Sequence, residues 1–388
     1  MLLIIGIVGC QTSTLEPQRA SQKNRSDTQL VLNNAVLEQS NALENTVWKI
    51  KAESIVYSED KQTATLNKVV GNLLQDGKII LQLSAKTGEV RDNGNVILLN
   101  KDIIASDPRN GNAIYSDAVE WRPQENQLLI KEKFTGIHPN LEITANRGKY
   151  LTDTESLEIQ DDVVATTNQP TLRLKSDRLV WKIAREQIES PGAIEIVRYN
   201  ENQTITDRLV SDRAVVDLAN DTATLNQNIE LTSLDPPLQV ATNFLTWNYQ
   251  DRIGKTNQPI LILKRDRGAE PSCKVSSTRG TRATELCASA HRTISLTGNQ
   301  GVINLQQQLA KLQNGVKGIN QLKGSELYAR QLIWKIDTEE IEAVGDVVYE
   351  QADPQARLTG EKAVGTLTDN NIVVTSNGKQ QVTTVIDN

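Results

Sequence analysis

The side chains that could take part in acid–base, nucleophilic or metal chemistry are few in this chain and lie far apart. It has two histidines, His138 and His291, and three cysteines, Cys10, Cys273 and Cys287. These residues do not form the four-ligand pattern of a zinc site, and no CxxC pair is present. A glycine-rich phosphate loop and the GxSxG and HExxH patterns are also absent. The sequence therefore predicts no catalytic residue, no metal site, no cofactor and no enzymatic activity.

Two of the cysteines fall in a segment that differs in composition from the rest of the chain. Residues 266–292 are rich in Arg, Ser, Thr and Gly, and they contain Cys273 and Cys287. In an oxidising compartment this pair would close a loop of about 15 residues as a disulfide, which we predict. The alternative is two unpaired thiols in a loop.

The N-terminal residues resemble an export signal. Residues 1–10 are an apolar run that ends in Ile7-Val8-Gly9-Cys10, similar to the box in which a cysteine is lipidated. The run is too short to span a bilayer, which needs roughly 20 residues. We therefore expect residues 1–10 to be a signal or anchor segment, with Cys10 as a lipid anchor. Residues 11–46 are rich in Gln, Ser, Asn and Thr and are expected to form a flexible tether, with a weak helix possible around Leu30–Leu43.

The elements that must position any binding site come from an internal repeat of about 31 residues. Each copy begins with a small residue, and in all copies but the last an aromatic or aliphatic residue follows five places later. The copies begin at Ala52, Ala85, Ser116, Ala145, Ser176, Ser211, Thr242, Gly298, Ala329 and Gly360. A repeat of this length is typical of folds that stack one small unit. The small first residue suggests that neighbouring backbones approach closely there, at a bend.

Within each copy, apolar and polar residues alternate, which is the pattern of a β-strand with one buried face. Leu179, Trp181 and Ile183 would share one face of such a strand. Turn signals of Asp, Asn and Gly separate the runs by two to four residues, which suits hairpins. The sequence thus predicts an all-β fold of at least about 20 short strands. An elongated antiparallel jelly roll and a parallel β-helix both fit, and the hairpin spacing favours the roll.

Four of the five tryptophans occupy the same register position, five places into their copies. Bulky rings on one face of stacked strands could line an apolar trough between two sheets, or they could only fill a sheet core. The residues predicted to line a lipid-binding trough are Ile55, Tyr57, Val119, Trp121, Tyr150, Leu179, Trp181, Ile183, Val216, Leu218, Leu245, Trp247, Leu332, Trp334 and Ile336.

The repeat resembles the periplasmic lipopolysaccharide-transport family, the LptC/LptA/OstA-like proteins. The resemblance rests on the N-terminal apolar segment with its tether and on three phrases of the repeat, at residues 83–90, 143–150 and 358–365. It also rests on the strand ending Gly345-Asp346-Val347-Val348-Tyr349, and it covers residues 46–388. A typical LptC is about half as long and begins with a transmembrane helix, whereas here the roll looks doubled and the anchor is shortened.

The resemblance implies a twisted roll, or β-taco, whose apolar interior holds the acyl chains of lipopolysaccharide. It implies a periplasmic protein, anchored to the inner membrane by its N-terminus, that passes lipid from an inner-membrane ABC transporter toward the outer membrane. Other OstA-like rolls would dock on its edge strands. We expect the roll to occupy residues 47–265 and 293–388, on either side of the insertion at 266–292.

A different class of function shares the stacked strands. A cell-surface adhesin or a structural β-solenoid would have a filled core and no lipid cavity. A nucleic-acid partner is not expected, because the formal net charge of −6 does not provide a basic surface.

Overall fold

The structure is a computed structural model that describes residues 30–40, 46–75, 77–264, 294–366, 371–376 and 383–385. These residues form 28 strands, numbered in chain order: β1 Val31–Ser40, β2 Thr46–Tyr57, β3 Ala64–Gln75, β4 Lys78–Arg91, β5 Val96–Ser106, β6 Ala113–Arg122, β7 Gln127–Ile130, β8 Phe134–His138, β9 Leu141–Ala145, β10 Arg147–Leu151, β11 Ser156–Asn168, β12 Thr171–Lys182, β13 Gln187–Ser190, β14 Ile194–Tyr199, β15 Ile205–Ser211, β16 Arg213–Asp217, β17 Thr222–Leu234, β18 Pro237–Asn248, β19 Ile253–Thr256, β20 Ile260–Lys264, β21 Ile294–Gly298, β22 Gln300–Asn304, β23 Leu309–Asn320, β24 Ser325–Lys335, β25 Glu340–Ala352, β26 Gln355–Thr366, β27 Asn371–Thr375 and β28 Thr383–Val385. Short 3-10 turns occur at Asp92–Gly94, Pro123–Glu125 and Ile183–Arg185.

All 28 strands belong to one sheet, and every neighbouring pair is antiparallel. Each strand pairs only with strands close to it in sequence, so successive copies of the repeat stack on one another. The prediction of an elongated, all-β antiparallel roll is therefore confirmed. The short spacing between strands indicated the antiparallel arrangement, because turns of two to four residues can join antiparallel strands but are too short to connect parallel ones.

The long strands bend near their middle. In β11 the bend is a bulge at Asp161 and Asp162, whose φ angles are 66° and 52°. Ser176, the small first residue of its copy, lies directly opposite Val163, which follows the bulge. A bulge bends the strand, and a small side chain opposite it leaves room for the two backbones. The same arrangement recurs where β17 meets β18 and where β23 meets β24.

The bends divide the sheet into two walls. The first wall contains β8, β9, β14, β15, β20 and β21, and the second contains β7, β10, β13, β16, β19 and β22. Long strands contribute one half to each wall, as β12 does by pairing with both β14 and β13. We call the side of the roll away from the bends the mouth. There the hairpin turns of the first wall, such as 107–112 and 200–204, face those of the second, such as 152–155 and 249–252.

A ladder of turns runs along the second wall at the mouth. Six turn residues adopt the left-handed conformation, with φ between 47° and 57°. The carbonyl of each accepts a hydrogen bond of 2.8–3.0 Å from a backbone N–H of the next copy. These turn-ladder residues are Asn126, Glu155, Glu186, Asp221, Arg252 and Gln308. The bonds tie each copy to its neighbour at the end of the wall, where the strand ladder has stopped.

The N-terminal part of the roll differs from the sequence prediction. Residues 31–40 were expected to belong to a flexible tether or a weak helix, but they form β1, which pairs along its length with β2. Leu32, Ala35 and Leu37 pack against the core on one face, with Asn34 at a positive φ of 50° between the first two. This irregularity breaks the period-two pattern and hides the strand in the sequence. In the part of the chain that the structure describes, no helix is long and apolar enough to cross a membrane.

Candidate functional site

The predicted trough residues point into the space between the two walls. Twelve of the fifteen are buried: Ile55, Val119, Trp121, Tyr150, Leu179, Trp181, Val216, Leu245, Trp247, Leu332, Trp334 and Ile336. They belong to one continuous hydrophobic cluster that runs from β2 to β26. The pleat was therefore assigned to the correct face, and the tryptophan rings of four copies share one interior with Tyr150 of a fifth.

The other three predicted trough residues, Tyr57, Ile183 and Leu218, are half-buried and pack at the margin of the cluster. Tyr57 is the last residue of β2, and Leu218 follows the end of β16. Ile183 begins a 3-10 turn instead of continuing β12. Each lies at the mouth, where the walls end and solvent begins.

The two walls contact each other through the interior side chains. The rings of Trp48, from the first half of β2, and Trp121, from the second half of β6, meet edge to face with centroids 6.2 Å apart. At the mouth, His138 approaches the ring of Trp181 to 5.6 Å. The two walls are therefore in contact at these two points.

Two of the buried tryptophans place a polar atom in the apolar interior. The indole Nε1 atoms of Trp121 and Trp334 are buried and have no hydrogen-bond partner among the described residues. A buried donor without an acceptor costs about 1–3 kcal/mol relative to a satisfied one. These N–H groups could donate to an ester or hydroxyl oxygen of a molecule that entered between the walls.

Charged side chains gather at the mouth and connect one wall to the other. Arg109 of the first wall contacts Glu155 of the second at 2.8 Å, and it also pairs with Asp107. Lys264 of the first wall pairs with Glu339 of the second. These ion pairs bridge the mouth at separate points along the roll.

The charge states of this region follow from its burial and its ion pairs. Burial would raise the pKa of Asp107, but the hydrogen bonds from Arg109 outweigh it and hold the pKa below that of an ordinary aspartate. Burial raises the pKa of the nearby Tyr150 to about 12, so its phenol stays neutral. The mouth is therefore charged at neutral pH, whereas the space behind it is apolar.

The sequence prediction missed two sets of residues that shape the interior. Trp48 was placed outside the repeat register, yet it is buried, and its Nε1 donates to Gln39 Oε1 at 2.6 Å. Its position became clear only with β1, because Gln39 belongs to that strand. A second set, Arg198, Asp207 and Arg252, forms a charged group beside an interior cavity. The signal for Arg198 was present, since it continues the inward alternation of Ile194 and Ile196.

Some predicted sites lie outside the described residues. They include the proposed lipid anchor Cys10 and the predicted disulfide between Cys273 and Cys287. Within the described ranges, no group of three or more His, Cys, Asp or Glu side chains could hold a metal ion.

Comparison with known proteins finds a family similarity for the N-terminal part of the chain. Residues 1–129 match the model of the family described as "Lipopolysaccharide-assembly, LptC-related". No curated protein matches the chain. Among solved structures, the chain is similar to LptH of Pseudomonas aeruginosa, described as the LptA homologous periplasmic component of the lipopolysaccharide transport device. The identity is 14%, the match covers 29% of this chain and 82% of that one, and the TM-score is 0.26, too low to support an argument. The resemblance indicated by the repeat is therefore supported over residues 1–129, which are similar to the LptC-related family.

Proposed function

We propose that this protein is a lipid-transport protein of the periplasm that holds the acyl chains of lipopolysaccharide between its two walls. The observation that carries the proposal is the continuous apolar cluster from β2 to β26, closed at the mouth by charged side chains. Acyl chains require an unbroken apolar surface, and no covalent bond has to be made or broken. The match of residues 1–129 to the LptC-related family supports the same role.

In this proposal the lipid enters and leaves through the mouth. The bends hold the two walls together on the opposite side, so separation of the walls is easiest where only side chains connect them. The mouth bridges are only partly exposed, so breaking each would cost more than the about 0–1 kcal/mol of a fully exposed ion pair. The direction of transport would come from an energy-consuming partner, which we propose is the inner-membrane ABC transporter.

The remaining parts of the proposal concern attachment and partners. Residues 1–10 would anchor the protein to the inner membrane, with Cys10 as the lipidated residue. Residues 11–30 would be the tether, now shortened by β1, and residues 266–292 would be an insertion into the roll. Among the described residues, the terminal strands β1, β27 and β28 each pair with one strand, and their other edges would dock other OstA-like rolls.

Contact between the two walls is the observation that favours a second function. Trp48 and Trp121 are in contact across the walls, as expected of an adhesin or structural solenoid with a filled core. In such a protein the interior would stay closed in the presence of lipid.

Photocrosslinking in cells that make labelled lipopolysaccharide distinguishes the two functions. A photoreactive residue replaces Trp181, which is buried between the walls, or Val180, its neighbour on the outer face. We expect a lipid adduct at position 181 and none at 180, because adjacent strand residues face opposite sides. Adducts at neither position, in protein that is folded and exported, would support the adhesin or solenoid function instead.

A further inference from the structure

An interior cavity lies between the walls in the middle of the roll. It is lined by Leu174, Ile196 and Leu209 of the first wall and by Val216, Ala223 and Trp247 of the second. Its volume open to the centre of a water molecule is about 20 Å³. That is enough for about one water molecule, although the lining is almost wholly apolar. At this point the facing side chains do not fill the space between the walls.

Three charged residues stand at the mouth end of this cavity. The side chain of Asp207 is 5% exposed, and Arg252 reaches it from the opposite wall. The guanidinium binds both carboxylate oxygens, with Nε 3.0 Å from Oδ2 and Nη2 2.7 Å from Oδ1. Arg252 also donates to the carbonyl of Asp235 at 2.7 Å. The negative charge of Asp207 is thus neutralised by a two-point contact with Arg252.

Arg198 is left without such a partner. It lies opposite Asp207 in the ladder between β14 and β15 and lines the same cavity. Among the described residues, its buried Nε has no hydrogen-bond partner, and its Nη1 makes one long contact of 3.5 Å with Thr206 Oγ1. No carboxylate of the described residues lies within ion-pair distance of Arg198. Asp207, its neighbour in the ladder, pairs with Arg252 instead.

The charge on this group is positive at neutral pH. Two arginines and one aspartate sum to one positive charge. Burial lowers the pKa of Arg198, while Asp207 raises it and Arg252 lowers it further. An arginine nevertheless remains protonated under all physiological conditions. The remaining titratable group of the cavity is Tyr249, whose pKa is raised by burial, so it is neutral.

We propose that Arg198 binds the anionic head of an acyl lipid whose chain occupies the cavity between the walls. The head is a carboxylate or a phosphate, because these groups accept the parallel hydrogen bonds that a guanidinium donates. This inference rests on the proposed function and adds a residue that selects acidic over neutral lipids. A chain enters only as the facing side chains move apart, since the present cavity holds about one water molecule.

The test compares an acidic probe with its neutral counterpart. The fluorescent polyene cis-parinaric acid and its methyl ester are titrated into the purified full chain, with dodecyl phosphate and dodecanol as competitors. Variants are Arg198→Gln, Arg198→Lys and the control Arg178→Gln, an exposed arginine on the outer face of β12. Circular dichroism establishes that each variant is folded.

We expect Arg198→Gln to weaken binding of the acid roughly tenfold or more and to leave the ester unchanged. Arg198→Lys should retain part of the affinity because it keeps the charge, and Arg178→Gln should change neither probe. Competition by dodecyl phosphate but not dodecanol would identify phosphate as an acceptable head, whereas competition by neither would restrict the site to carboxylates.

Two outcomes would overturn the inference, and only the second would also contradict the proposed function. If the wild-type chain binds acid and ester equally and Arg198→Gln alters neither, the selectivity is wrong but lipid binding stands. If the wild-type chain binds neither probe, the proposed function fails together with this site. Should Arg198→Gln not fold, equal binding of acid and ester to wild type and to Arg198→Lys would be the contradicting result.

Discussion

At the residue scale, three hydroxyls of the repeat hydrogen-bond to the segments that interrupt a neighbouring strand. Ser116, Ser176 and Thr242 each occupy the first position of a copy and donate to a backbone carbonyl 17 residues later, at 3.4, 2.9 and 2.9 Å respectively. The acceptors lie in the short segments where the chain passes from the second wall to the first. A small residue was expected there for space, but its hydroxyl also satisfies a carbonyl that the strand ladder leaves free.

Substitution of one hydroxyl tests this role. Thr242 is 7% exposed, and Thr242→Val keeps its shape while leaving the carbonyl of Pro259 without its donor. We expect the free energy of unfolding to fall by about 1–3 kcal/mol, measured by urea denaturation. The control is Thr297→Val on an exposed position, which should change stability by less than about 0.5 kcal/mol. Equal effects of the two substitutions would contradict the role of the buried hydroxyl.

The residues of the interior could largely be predicted from the sequence. The alternation of apolar and polar residues indicates the inward face, and so does the shared register position of four of the five tryptophans. The exceptions have physical causes. Tyr57, Ile183 and Leu218 keep the alternation but lie where the strand ends, and strand ends are the least certain part of such a prediction. Arg198 was overlooked because a charged residue on an inward position is ordinarily excluded from a core.

At the element scale, the turn ladder is the feature that the sequence concealed most completely. Its members include Glu155, Arg252 and Gln308, which are not residues that favour the left-handed conformation. Their backbones adopt it because the carbonyl of each must reach an N–H of the next copy. The strands themselves were predictable from hairpin spacing, whereas β1 was not, because its pattern is irregular at Asn34.

The conformation of the ladder can be tested at Gln308, whose φ is 51°. Gln308→Gly should leave stability unchanged or raise it, because glycine adopts a positive φ without steric cost. Gln308→Val should lower the free energy of unfolding by about 1–2 kcal/mol, since a branched Cβ clashes in this conformation. Thermal denaturation of both variants measures the difference.

The neighbouring residue provides the matched control. Gln307 is exposed and is not among the residues with positive φ, so Gln307→Val should cost less than about 0.5 kcal/mol. If valine were as well tolerated at position 308 as at 307, the left-handed turn would not be required.

At the scale of the whole molecule, the roll is a one-dimensional stack in which strand pairing joins each described strand to strands close to it in sequence. No described strand pairs with one distant in sequence, and the largest step between partners skips only a few strands. Stability in such a chain is a sum of local contributions, so a local change should stay local. A two-state globular domain would instead lose protection everywhere at once.

Hydrogen exchange of wild type and Thr242→Val distinguishes these behaviours. We expect faster exchange in β17, β18 and β20, which surround position 242, and unchanged exchange in β3 and β4 near the N-terminal end. An equal loss of protection in both regions would show that the roll unfolds as a single cooperative unit.

The turn ladder has a consequence for experiments on movement along the roll. It fixes the backbone of one position in successive copies, while the side chain at that position ranges from Asn to Arg. Residues at these positions can therefore be exchanged for spectroscopic labels at regular intervals, without altering either wall. Labels at Asn126, Glu186 and Gln308 would form a molecular ruler beside the mouth, and the order in which they respond would give the direction and speed of a passing lipid.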